Sequence, residues 1–216
     1  MSGMEPEKQA EIISLGKRKF YDNGETLFQE GTPANKCFLV LEGRLKLYKL
    51  HETGKEAIIR YINPNEMTAA IAVFKGRDYP VTAEAIGRTE VVSWNKSTML
   101  GLIMENAPLA VNLLHAVIGR IDELQARYLE LAADQVEYRI ARSLLRIMRQ
   151  SGTKTDEGIL INFKLSRQEL ADYTGTTLYT VSRILSSWEK NGWIKSGRQR
   201  ILITDPHALV SFSESR

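Results

Sequence analysis

The chain has 216 residues, 43% apolar and 25% charged, an ordinary composition for a soluble protein with one large core or two small ones. No apolar run approaches the ~20 residues of a membrane span and no signal-peptide core opens the chain, so a cytoplasmic protein with no membrane partner is expected. Cys37, the single cysteine, excludes an internal disulfide and a cluster held by several cysteines of one chain. The net charge of +3 is unevenly divided: residues 1–135 carry 16 Lys+Arg against 18 Asp+Glu, and residues 136–216 carry 13 against 8. A basic end on a slightly acidic body points that end at a polyanion.

From about Leu27 to Val92 the pattern is β. "CFLVLEG" has the composition of a buried strand. "RLKLYKL" alternates, with Leu45 and Leu47 on one face and Lys46 and Tyr48 on the other. "HETGK" supplies a polar turn into "EAIIRYI", which makes Arg44–Ile62 a hairpin. "PVTAEAI" and "TEVVSW" read as two strands split by Gly87 and Arg88, while Ala-rich "EMTAAIAVF" reads as a short helix. Short strands at such close spacing predict a barrel or roll.

After Pro108, Leu114, Val117, Ile121, Leu124, Tyr128 and Leu131 follow one another at spacings of 3, 4, 3, 4 and 3. Such a narrow stripe, flanked by polar residues, suits a second helix of the same kind and predicts a homodimer seam. Packing on the chain's own β-roll would call for a wider apolar face.

From Asp134 onwards, "DQVEYRIARSLLRIM" is an amphipathic helix with Val136, Ile140, Leu144 and Ile147 inward, ending at Ser151 and Gly152. "LINFKL" reads as a short strand. Ser166 with Glu169 three residues on forms a capping box, Gly175 ends that helix, and Thr176 or Thr177 caps the next. The following helix runs to Asn191 and Gly192, and "WIKSGRQRILITD" supplies two strands around a Ser-Gly turn. This order is a winged helix-turn-helix.

The whole chain, in order, resembles the CRP/FNR family of bacterial transcription factors. "GETLFQEGTPANKCFLVLEGRLKLYK" is similar to the family's β-roll signature, with Gly31 and Gly43 as turn glycines. "LSRQELADYTGTTLYTVSRILSSWEKNGWI" closely resembles its DNA-binding helices. The expected fold is α+β: a cyclic-nucleotide-binding-like β-roll (jelly roll) over 1–107, a long dimerisation helix over 108–134, and a winged helix-turn-helix over 135–216. The implied partners are double-stranded DNA, a second copy of the chain and RNA polymerase, which loops such as "FKGRD" would reach.

A recognition helix offers its first turns to base edges, while caps and flanking residues hold phosphates. Leu178, Val181, Ile184, Leu185 and Trp188 form its apolar face, and Tyr179, Thr180, Ser182, Arg183 and Ser186 face outward. Arg183 can grip guanine O6 and N7 with both arms of its guanidinium. A surface ion pair is the competing role, and the match to the family's Ser-Arg pair at Ser182 favours base reading. Ser166, Arg167, Gln168 and Thr177 are candidates for phosphate contacts or simple solvated caps, as are Arg198 and Arg200 in the wing. Many family members carry glutamate where Tyr179 stands, accepting from a cytosine amino group. Tyrosine lacks that charged acceptor, so either the half-site differs or Tyr179 lies back on the protein.

Nucleotide-binding relatives hold ribose and phosphate with a Gly-Glu pair and an arginine. By alignment, Ala69 and Ala70 replace the pair, and Val81 replaces the arginine, leaving Thr82 and Ala83. Valine would leave a buried phosphate uncompensated, so cyclic AMP is disfavoured. One cysteine equally disfavours the iron–sulfur cluster of the oxygen-sensing branch. The apolar lining at Met67, Ala69, Ala70, Val81, Thr82 and Ala83 suits haem or another apolar effector, as in the branch that responds to nitric oxide or another diatomic gas under stress. Met67, His51 and His115 are the residues chemically able to ligate its iron.

Two other functions compete. A cupin-like metalloenzyme needs clustered histidines, whereas His51, His115 and His207 are scattered, and no nucleophile triad or phosphate loop occurs, so no enzyme is expected. An architectural DNA binder with a purely structural β-roll would ignore effectors.

Overall fold

The computed structural model describes residues 4–50, 56–133 and 135–215, and the chain divides into two compact units. One contains Met1–Lys55 and Ile59–Gln125, the other Glu56–Ile58 and Ala126–Arg216.

The first unit opens with α1 (Pro6–Ser14), whose Ile12 carbonyl accepts from the Trp94 indole at 3.0 Å. Its six-stranded sheet runs β1 (Lys17–Tyr21), β6 (Thr82–Asn95), β3 (Lys36–Leu50), β4 (Glu56–Ile62, of which residues 59–62 belong to this unit), with β2 (Thr26–Phe28) on β6 and β5 (Met67–Thr68) on β3. Strand β1 carries "KRKFY" with four of five residues exposed, so it shows no alternation and is not legible as a strand. Its charges are those of a protected sheet edge.

The strands expected on either side of Gly87 and Arg88 are one strand, β6. Its partner β3 absorbs the irregularity through register shifts between Val40 and Arg44. Gly43, at φ +77°, is required there because a Cβ would meet Thr89 and the Arg88 carbonyl at 2.5 Å. The helix expected over 66–74 begins only at Ala70, in α2 (Ala70–Lys75), because Met67 and Thr68 pair with Leu39 and Phe38. Phe28 stacks on Tyr79 and Phe38 in the core, beneath α3 (Lys96–Glu105) and the first part of α4 (Ala107–Ala133).

The second unit holds the end of α4, then α5 (Val136–Ser151), β7 (Gly152–Thr155), β8 (Gly158–Ile161), α6 (Arg167–Thr174), α7 (Leu178–Lys190), β9 (Ile194–Gly197), β10 (Arg200–Ile203) and α8 (Pro206–Glu214). The strand expected over "LINFKL" stops at Ile161 and belongs to a hairpin with β7. The sheet order is β7-β8-β10-β9. Helix α8 has no counterpart in the sequence reading. It places Phe212 on Tyr138 at 5.0 Å and edge-on to Trp188 at 5.7 Å, closing the core over α5 and α7.

The last turns of α4 are tied to this unit by charge. Both arms of the Arg146 guanidinium donate to Glu130, at 3.0 and 3.1 Å, and the Arg127 guanidinium lies over the Tyr173 ring at 4.4 Å. A bidentate, largely buried pair of this kind fixes geometry as well as proximity.

Candidate DNA-binding surface

The capping box forms as predicted: Ser166 Oγ accepts from the Glu169 N–H at 3.1 Å, and Glu169 accepts from the Ser166 N–H at 2.8 Å. Gly175 ends α6 at φ +64°, and Thr177 caps α7 by accepting from the Thr180 N–H at 3.1 Å. Caps at these points set the angle at which α7 leaves α6. Val181, Ile184, Leu185 and Trp188 then bury one face of α7.

Tyr179 is 78% exposed, so it does not lie back on the protein. Arg183 is exposed beside it, and Ser182 and Ser186 are half-buried on the same side. The Thr180 hydroxyl lies 2.9 Å from that of Thr177 and is committed to the cap. Leu178 departs from its expected place on the apolar face. It is 46% exposed, because at the first position of α7 it precedes the turn that reaches the core.

Arg183 has a partner that sequence reasoning missed. Its Nη2 lies 3.4 Å from a carboxylate oxygen of Glu137, in the first turn of α5. The pair is exposed, at 60% and 38% of the side chains, so the surface ion pair weighed against base reading does exist here. Such a pair is worth about 0–1 kcal/mol and yields readily to a stronger acceptor.

Arg167 reaches the wing, where its guanidinium donates to Ser196 Oγ at 2.8 Å, while Glu189 accepts from the Ser196 N–H at 2.7 Å. Gln168 is exposed and donates to Asp172 at 2.8 Å. Arg198 and Arg200 are exposed at the β9–β10 turn, which Gln199 makes at φ +58°. One unit therefore presents Tyr179, Ser182, Arg183, the α6 cap and a basic wing.

The Crp-like helix-turn-helix domain family matches residues 138–212, and the cyclic nucleotide-binding domain family matches residues 18–106. The chain belongs to the CRP/FNR family of DNA-binding transcriptional regulators. It is 23% identical to the CRP-like cAMP-activated global transcriptional regulator of Mycobacterium tuberculosis, over 96% of this chain and 93% of that protein. It is 29% identical to the nitrogen fixation regulation protein FixK of Bradyrhizobium diazoefficiens, over 95% and 85%. The fold is that of FixK2 from Bradyrhizobium japonicum, with a TM-score of 0.80, 24% identity, and 93% and 98% of the two chains covered.

Other expected features of a CRP/FNR regulator lie as follows. Along α4, Leu114, Ile121, Leu124, Tyr128 and Leu131 are exposed and Val117 is half-buried. Val111 and Ile118 extend the exposed stripe beyond the six residues read from spacing. In the first unit, Met67, Ala69, Ala70 and Val81 are half-buried against the core and Ala83 is fully buried. Thr82 is buried as well, its hydroxyl accepting from the Glu30 N–H at 3.1 Å. A cleft of about 450 Å³ in this unit is lined by none of these six; Lys17, Lys19, Lys36, Tyr21 and Phe28 form its walls.

Glu66 is committed to Arg60 at 2.8 Å and to the Asn63 N–H at 3.2 Å. Arg44, buried near it, donates from Nε to Asn63 at 2.7 Å, and burial lowers its pKa. Among the haem-ligand candidates, Met67 sits on β5 and His115 is exposed on α4, while His51 lies outside the described residues. Among the described residues no group of three His, Cys, Asp or Glu side chains could hold a metal ion.

Proposed function

We propose that the chain acts as a homodimer joined along α4, whose two α7 helices read a pseudo-palindromic duplex under the control of an effector in the first unit. The observation that carries this reading is the outward face of α7, where Tyr179 and Arg183 are exposed between two capped helix starts and a basic wing. Arg183 reads guanine, and exposed Leu178 and the Tyr179 ring supply apolar contact suited to a thymine methyl rather than an acceptor for cytosine. Ser166, Gln168 and Thr177, with Arg198 and Arg200, hold phosphates. Arg167 is better used in fixing the wing, given its bond to Ser196. The exposed residues Lys75 and Arg77 are available to RNA polymerase.

The effector is an apolar molecule rather than a cyclic nucleotide. Apolar packing at Met67, Ala69, Ala70, Val81 and Ala83 supports this, and so does valine in the place of a phosphate-binding arginine. Haem is its most specific form, and the described ligands fit it poorly, with Met67 packed on the core and His115 on a separate element. Titration with haemin checks it: a saturable Soret band supports haem, and free-haemin absorbance throughout removes it. For DNA, selection from a duplex library randomised in both half-sites is expected to return guanine at one position per half-site, lost in R183A. Recovery of the same sites by R183A would refute the assignment.

A further inference from the structure

Glu137 is a carboxylate on a surface otherwise arranged to meet a polyanion. It belongs to the first turn of α5, at the positive end of that helix's dipole. Its oxygen lies 3.4 Å from Arg183 Nη2, and the two side chains border a cleft of about 410 Å³ with Ser186, Ser187, Trp188 and Lys190. No other acidic side chain lines that cleft. The contact engages one terminal nitrogen of the guanidinium, and that nitrogen carries two N–H groups. One can point at Glu137 while the other, with a second nitrogen, points at a base edge. A lone arginine on a helix surface sweeps many rotamers, and a carboxylate at one edge of its planar head biases it towards those that keep the contact.

We infer that Glu137 is a positioning residue for base reading. It holds the Arg183 guanidinium in the plane from which it reaches guanine, and its charge repels phosphates when no guanine is there to take up the arginine. The inference rests on Arg183 being the guanine reader. Glu137 then acts on specificity more than on affinity. Without it, Arg183 is free to contact the nearest phosphate on any sequence.

The test compares wild type, E137Q, R183A and the double variant on a duplex library with both half-sites randomised, together with binding to a fixed duplex of unrelated sequence. Because the pair is exposed, E137Q is expected to melt within a degree or two of wild type, so a change in binding is not unfolding. Wild type should prefer guanine at the Arg183 position, and R183A should lose that preference on the order of tenfold or more. E137Q should weaken the same preference by about threefold or more and bind the unrelated duplex more tightly. In the double variant, E137Q should have no further effect on base preference. If E137Q keeps the full preference while R183A loses it, the positioning role is refuted and base reading stands. If R183A itself keeps the preference, base reading falls and the role of Glu137 falls with it.

Discussion

Cys37 is fully buried in the first unit, its Sγ 3.6 Å from the Trp94 carbonyl, and burial pushes its thiol from 9.0 up to about 11. A neutral buried thiol is a poor nucleophile. Native protein at pH 8 is expected to resist a maleimide or disulfide reagent that labels it fully in denaturant. Because the folded pKa lies above the unfolded one, this group's contribution to stability is complete below about pH 9 and is lost as pH rises towards 11. Denaturant melts should therefore show the gap between wild type and C37A narrowing across that window, and a constant gap would contradict it. Ala69 illustrates a second residue-level effect. It takes φ +66° ahead of α2, at the position where the resemblance expects glycine. The left-handed region costs a non-glycine residue about 1–2 kcal/mol, and glycine gives back about 0.4–1 kcal/mol through the unfolded chain. A69G is expected to stabilise the protein by roughly 0.5 kcal/mol, read as a higher denaturant midpoint.

At the scale of elements, α4 leaves Val111, Leu114, Ile118, Ile121, Leu124, Tyr128 and Leu131 exposed. An apolar stripe of that length is costly in water, and a second copy of the helix would bury it. The double substitution I121E/L124E places like charges in the seam. It is expected to convert a sedimenting dimer to monomer and to abolish tight binding to a two-half-site duplex, while leaving secondary structure intact. A dimer that survives the change would place the interface elsewhere. The elements most legible in sequence were those with chemical punctuation, such as the Ser166–Glu169 box, Gly175, the Thr177 cap and the 3-4 spacing of α4. Strand β1 was hidden because its exposed charges carry no alternation, and α8 because its apolar residues, Ala208, Leu209, Val210 and Phe212, are bunched in a segment too short to show a helical period. Leu178 was misplaced because periodicity ignores where a helix end overhangs its core. The Arg183–Glu137 pair joins residues 46 positions apart, which no local pattern reveals.

For the molecule as a whole, charge separates the ends: residues 1–135 carry a net −2 and residues 136–216 a net +5. The field of such a chain turns its basic end towards DNA before any base is read. Most of the proposed phosphate contacts are hydroxyl or amide groups on Ser166, Gln168 and Thr177, which release no counterions. Those assigned to cations are Arg198 and Arg200, so a dimer would neutralise four phosphates through them. The logarithm of the binding constant should then fall against the logarithm of salt concentration with a slope of roughly −3.6, steepened by any further lysines that make contact. R198A/R200A should flatten the slope by about that amount and weaken binding to all sequences alike, leaving the guanine preference intact. R183A should do the reverse, losing the preference while keeping most of the slope. If the wing variant instead altered base preference without changing the slope, Arg198 and Arg200 would belong to the reading surface and the phosphates would be held elsewhere.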